Sequence, residues 1–533
     1  MMKQRKYFDI FAACGRKNVP DNNFPYKADT LLEDMKYFRV HGAAVVANEA
    51  IDFSYVYGNE LICKLIEKNK RLIGIGVVPN NVLMEVDDPD YLNKLFSRGI
   101  KALTVYPEIM RCSISPENMK QIADALIEHK LPLILSGCNQ AERYEQAARL
   151  ADAYPDLNII LIGSHWSVNR YLFKLLENHK NIYYEISNNQ ANDLLELTKK
   201  HFGIDRVLYC GGWPNKTIGA LKSLIEYADL TEEEKDLVAY GNACRLLQIN
   251  PDDLELYLDE ECEFDSFAKE IDAGKPLSYQ VIDAHTHMVF KDETCVSSMM
   301  MLNCDYDSMV AKMDRNGTDT IITSPWVGLT IDGRKANADV LVAAQKYPGR
   351  ILAYSTYNIH YKDDADNWKK YHTEYPDIFV GEKPYWPYQK FDLTIDTCDE
   401  WFSYANEHRL LMLVHTDSTW KIQEQVGELS LKYPDITFVL AHSGTNYIVA
   451  DKNIELAKSR ENVVLEITFT SVTRNMIEYL VSEVGADKVL YGSDAPMRDP
   501  APQLGWVCYS RKSEEDKKKI LSGNIKRLLD RRI

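Results

Sequence analysis

Asp283-Ala284-His285-Thr286-His287 closes one apolar run of this chain. Polar residues close three others: His415 after Leu413-Val414, His442 after Leu440-Ala441, and Asp494 after Tyr491-Gly492-Ser493. Residues two apart on a strand point to the same side, so His285 and His287 can share one target. Three imidazoles and a carboxylate form a donor set suited to Zn2+ or a similar divalent ion. A single strand-end histidine is more often a hydrogen-bonded core residue. The ordered set is what points to chemistry.

The elements that must position these residues are short. In the second half the apolar runs are VIDAH, TDTIITS, RILAYST, DIFVGEK, LLMLVH, ITFVLAH, NVVLEIT and KVLYGSD. Amphipathic stretches such as KANADVLVAAQKY and TRNMIEYLVSEVG lie between them. Continuous apolar strands alternating with helices predict a parallel sheet covered on both faces. Eight such runs in about 250 residues fit a (β/α)8 TIM-like barrel, whose active sites form at the C-terminal strand ends. An open doubly wound sheet would need a Gly-rich phosphate turn, and none is present.

The chain also repeats itself. YPDLNIILIGSH (154–165) lines up with YPDITFVLAHSG (433–444), GIDRVLYCGGWP (203–214) with GADKVLYGSDAP (485–496), and GNACRLL (241–247) with GNIKRLL (523–529). Matches in one order across 533 residues indicate a tandem duplication and two α/β barrels. The boundaries read as a first barrel at 1–250, an acidic linker with one helix at 251–279, and a second barrel at 280–533.

Over residues 280–533 the HxH pair, the two later strand-end histidines, GSD-x-P and the terminal GN-x-x-RLL resemble the amidohydrolase superfamily. Within it they resemble the amidohydrolase-2 branch of metal-dependent hydrolases and their decarboxylase relatives. The resemblance implies that His285, His287, His415 and Asp494 hold one divalent metal, Zn2+ foremost, with Mn2+ or Fe2+ as alternatives. It also gives Asp494 a proton-handling role and has His442 polarise substrate or water. The expected reaction is hydrolysis of an amide, ester or lactone by a metal-activated water. Non-oxidative decarboxylation of an aromatic or unsaturated acid uses the same ligands and is the alternative.

The first copy serves as an internal control. His285 aligns with Phe11, His287 with Ala13, His415 with Ser136, His442 with Gly163 and Asp494 with Gly212, so residues 1–250 are expected to lack a metal site. Asp283 matches Asp9 and Glu466 matches Glu185, which marks both as structural. Lys383 in Gly381-Glu382-Lys383 is matched to Lys101 in Gly99-Ile100-Lys101, which argues for a structural or electrostatic role over a carboxylated, metal-bridging one. Trp326, Trp386 and their tyrosine neighbours Tyr385 and Tyr388 could stack a planar substrate, and Lys383 and Arg498 could hold its charge. Packing between loops competes with that reading for each of them.

A formal net charge of -17 argues against nucleic acid as the partner and leaves a small molecule. No run approaches the roughly 20 apolar residues that span a bilayer. The 11 cysteines form no paired framework and read as reduced thiols of a cytoplasmic protein. The first barrel is expected to pack against and shield the second, and a homo-oligomer stays open.

Overall fold

The computed structural model describes residues 4–257, 264–293, 296–365, 367–419 and 421–532. The chain divides into two compact units, Met1–Phe264 with Ser298–Met300, and Asp265–Ser297 with Met301–Ile533. Each holds eight strands hydrogen-bonded in sequence order, and each is a (β/α)8 barrel.

In the first unit the strands are β1 (Phe8–Cys14), β2 (Gly42–Ala47), β3 (Leu72–Val77), β4 (Ile100–Val105), β5 (Leu133–Leu135), β6 (Ile159–Leu161), β7 (Ile182–Glu185) and β8 (Val207–Leu208). In the second they are β9 (Ile282–Thr286), β10 (Thr320–Thr323), β11 (Ile351–Ser355), β12 (Phe379–Glu382), β13 (Leu411–His415), β14 (Thr437–Ala441), β15 (Val463–Glu466) and β16 (Val489–Leu490). All eight apolar runs of the second copy became strands. Backbone hydrogen bonds close the rings, from Ile10 N to Tyr209 O (3.1 Å) and from Ala284 N to Tyr491 O (3.0 Å).

The interior of the second barrel is filled rather than hollow. Ala284, Ile322, Tyr354, Val380, Leu413, Val439, Val464 and Leu490 supply one buried side chain from each strand to a single cluster. Burying a side chain of that size is worth about 1.5–3 kcal/mol. This plug fixes the strand ends above it.

The repeated GN-x-x-RLL motif is scaffold. Asn524 Nδ2 donates to the carbonyls of Ala486 (2.7 Å) and Val489 (2.9 Å), and Arg527 donates to that of Asp487 (3.0 Å). Asn242 and Arg245 make the same bonds to Ile204, Val207 and Asp205. Each motif pins the last helix of its barrel to the start of the eighth strand.

Between the barrels, a one-turn 3-10 helix covers Pro251–Asp253 and a helix covers Ser266–Asp272, capped by Asp265. The middle of the acidic linker, 258–263, lies outside the described residues.

Sheet register corrects one sequence match. In the first barrel Leu103 pairs with Leu133, and in the second Glu382 pairs with Met412. Leu133 and Met412 are themselves equivalent through their partners Ile159 and Phe438. Thr104, not Lys101, therefore occupies the place of Lys383. The Gly-x-Lys similarity was a coincidence between the start of β4 and the end of β12.

Candidate metal centre

Strand β9 and the segment after β16 are laced together at the carboxyl end of the second barrel. Asp283 accepts the backbone N–H groups of His285 (3.1 Å) and Ser493 (3.0 Å). Burial raises its carboxyl to about 8. Asp494 N donates to His285 O (2.8 Å), and His287 N donates to Ala495 O (2.6 Å). These crossings set His285, His287 and Asp494 side by side.

Both Asp494 (φ 61°) and His442 (φ 67°) adopt the left-handed region. That conformation costs a non-glycine residue about 1–2 kcal/mol, and such strain concentrates at functional sites. At the equivalent positions the first barrel has Gly212 (φ 71°) and Gly163 (φ 82°). Where the polar side chain is absent, glycine removes the strain.

The donor atoms converge. His285 Nε2 lies 3.2 Å from His287 Nε2, and Asp494 Oδ1 lies 3.0 Å from His287 Nε2 and 3.4 Å from His285 Nε2. One ligand atom from each lies within 4.8 Å of the others. The opposite ring nitrogens are each engaged from behind. His287 Nδ1 is 3.0 Å from the Ser324 carbonyl, which can only accept, and His285 Nδ1 is 2.8 Å from Glu466 Oε2. Both Nε2 atoms are therefore turned toward each other and toward the Asp494 carboxylate. Such a set suits a divalent cation, and the buried partners behind it would hold the rings in ligating orientation. His285, His287 and Asp494 fit a metal.

His415 stands outside that 4.8 Å group. Its ring is 4.7 Å from that of His442 and is flanked by Tyr385 (5.7 Å) and Trp386 (5.8 Å). His442 lies 5.1 Å, ring to ring, from His285, and its Nδ1 is 3.1 Å from the Thr468 carbonyl. Burial keeps this ring neutral, and the contact then leaves its Nε2 unprotonated.

Electrostatics follow from burial. Desolvation, then Lys383, holds His285 well below the usual imidazole value, and desolvation, then His442, does the same for His415. Burial takes His442 to about 3 and Lys383 to about 8. Burial pushes Asp494 up, but Arg498 at 3.1 Å and the histidines outweigh it and keep it well below the ordinary carboxylate range.

The remaining candidates form a shell around the centre. Lys383 Nζ is 3.3 Å from His285 Nε2. Trp326 is 6.3 Å from the His287 ring and 5.5 Å from that of Tyr388. Trp386 is held by its own indole N–H, which donates to His415 O (2.9 Å). The Arg498 guanidinium lies over Phe469 at 5.1 Å.

Sequence reasoning missed Ser324, Thr468 and Phe469. For Ser324 and Thr468 the signal was polarity at the ends of TDTIITS and NVVLEIT, which many strands share, and Phe469 carried none. It also undervalued Glu466, which holds His285 Nδ1, His442 N (3.3 Å) and Thr468 N (2.6 Å) together. Its counterpart Glu185 keeps the matching bonds to Gly163 N (2.8 Å) and Ser187 N. In the first barrel Phe11, Ala13 and Ser136 offer no strong metal donor at the equivalent positions. A carbon added to Gly212 would meet Lys216 Cδ at 2.5 Å, so a lysine stem occupies the space of the Asp494 side chain.

The chain belongs to the amidohydrolase family, whose model matches residues 67–249 and 282–531 and so takes in both barrels. Several solved structures are similar to it. A dihydroxybenzoic acid decarboxylase from Polaromonas sp. JS666, with bound manganese and 2-nitroresorcinol, is 16% identical (TM-score 0.36), over 47% of this chain and 97% of that one. A 5-carboxyvanillate decarboxylase from Novosphingobium aromaticivorans DSM 12444, complexed with manganese, is 16% identical (TM-score 0.38), over 48% and 96%. Another from Sphingomonas paucimobilis is 12% identical (TM-score 0.39), over 48% and 99%. No curated protein matches the chain significantly. Among the described residues, no helix is long and apolar enough to cross a membrane.

Proposed function

We propose that the second barrel is a metal-dependent hydrolase of a small amide, ester or lactone. The observation that supports it is the meeting of the His285 and His287 Nε2 atoms with Asp494 Oδ1, each between 3.0 and 3.4 Å from the next. His285, His287 and Asp494 would hold one divalent cation, with His415 as the fourth ligand. When bound, the cation supplies Lewis acidity that lowers the pKa of water to about 7 and polarises a carbonyl. Zn2+ suits the donors, and Mn2+ and Fe2+ are accepted by the same set.

The chain's own groups do the rest. Asp494 stays ionised beside Arg498 and accepts the proton of the attacking water. His442, with Nδ1 committed to Thr468, takes that same proton from Asp494 at Nε2 and passes it to the leaving group. Trp326, Trp386 and Tyr385 wall the mouth and exclude bulk water, while Lys383 and Arg498 offer positive charge to the substrate.

That last pairing favours a second reading. Aromatic walls beside two buried cations would also accept a planar carboxylic acid, and the same centre would then serve decarboxylation. The purified full chain, metal-loaded, should hydrolyse members of an ester, lactone and amide panel, and Asp494→Ala should abolish this. Release of CO2 from hydroxybenzoate-type acids, with no hydrolysis of the panel, would replace the first reading with the second. Neither reaction, or turnover surviving in Asp494→Ala, would end both.

A further inference from the structure

The first barrel has lost its metal donors but not its mouth. A cavity of about 620 Å³ opens at the carboxyl end of its strands. It is bounded by the segment after β1, by Asn48 at the end of β2, and by Pro214 and Asn215 after β8. Small-molecule sites span about 300–1,000 Å³ and occupy this face of TIM barrels.

Register explains why the space exists. Asp9 pairs with Ala43 as Asp283 pairs with Ile321, and both pairs of strands then shift register before the next contact. Carried to the strand ends, Asn48 is the counterpart of Trp326, and each opens a five-residue helix, Asn48–Asp52 and Trp326–Thr330. In the second barrel the indole lies 6.3 Å from His287 and roofs the centre. In the first, a short amide takes its place, tied back by a 2.8 Å bond from Nδ2 to Gly15 O. The cavity thus lies where the second barrel keeps the wall of its centre.

Its lining has a definite chemistry. Phe24, Tyr26 and Pro214 give flat apolar surface, and Asn48 and Asn215 give amides. Arg16 and Lys17 bring two cations, neither of them ion-paired among the described residues. The single carboxylate on the wall, Asp21, accepts the N–H of Asn23 at 3.0 Å. In a chain of net charge -17, a cavity with an excess of cations is set apart from its surroundings.

We propose that the first barrel is a ligand-binding module whose mouth takes a small aromatic carboxylate, without metal and independently of the chemistry in the second barrel. The apolar faces hold the ring, and Arg16 and Lys17 hold the carboxylate by charge-assisted hydrogen bonds.

Calorimetric titration of the chelator-treated full chain with benzoate tests this, because chelation removes any metal-dependent site. Wild type should bind. Asn215→Trp, which fills the cavity from an exposed position, and the double variant Arg16→Ala/Lys17→Ala should each weaken that binding about tenfold or more, a change of 1.4 kcal/mol. Benzamide, the neutral isostere, should bind wild type weakly by the same margin. All three substituted residues are exposed, so folding is not at stake. Absence of benzoate binding, or binding unchanged in both variants, would overturn the site. Equal affinity for benzamide would overturn the assignment of an anion.

Discussion

His285 Nδ1 and Glu466 Oε2 lie 2.8 Å apart, joining β9 to β15 with neither side chain exposed. The same carboxylate accepts the backbone N–H groups of His442 and Thr468. One glutamate therefore orients the ring proposed to face the metal and anchors the turn that carries His442. Partners of this kind contribute about 10–100-fold to metal affinity. Glu466→Gln should lower metal retention by that factor, read as metal content after dialysis against graded chelator. Glu185→Gln, which removes only the matching scaffold bonds of the first barrel, should leave it unchanged. Equal retention in Glu466→Gln and wild type would remove His285 from the ligand set.

The two barrels solve one backbone problem in two ways. Asp494 and Gly212 share a left-handed conformation after the eighth strand, and Lys216 lies across the glycine. Gly212→Ala should cost about 1–3 kcal/mol from the positive φ and the collision with Lys216. Urea unfolding would measure it. Turnover of the folded enzyme should not change, because the groups proposed to react belong to the other barrel. A neutral substitution would mean that the lysine stem moves aside freely.

Much of this was legible in the chain itself. Eight apolar runs, four of them closed by His285, His415, His442 and Asp494, carried both the barrel and the residues at its mouth, because strand periodicity and strand ends are local properties. What failed was relational. Lys383 was matched to Lys101 through a three-residue likeness, whereas register across two neighbouring strands selects Thr104. Ser324, Thr468 and the orienting role of Glu466 depend on contacts between strands far apart in sequence. The first barrel's cavity follows from Asn48 standing where Trp326 stands, which no motif announces.

The corrected register makes Lys383 testable. Its ammonium lies 3.3 Å from His285 Nε2, while Lys101 is partly exposed near the start of β4. Lys383→Met should lower kcat/KM for the hydrolysed substrate by about 10–100-fold, as expected for loss of a buried cation facing the reacting groups. Lys101→Met should leave it within twofold of wild type, about 0.4 kcal/mol. Equal, small effects of both would return Lys383 to a packing role.

Asp9 gives the first barrel a pH dependence of its own. Burial raises its carboxyl from 3.8 to about 7, against hydrogen bonds from Phe11 N and Gly211 N that favour the anion. Between those two values the folded chain holds a proton that the unfolded chain has released. The stabilisation is therefore complete below about pH 4 and is lost as pH rises through 7. Asp9→Asn is neutral throughout and should remove this contribution. Urea-unfolding free energy would then fall less steeply than wild type between pH 4 and 7, by up to about 1.4 kcal/mol per pH unit. Parallel curves for the two proteins would show that Asp9 ionises at its ordinary value, and that water reaches it at the base of the strand-one turn.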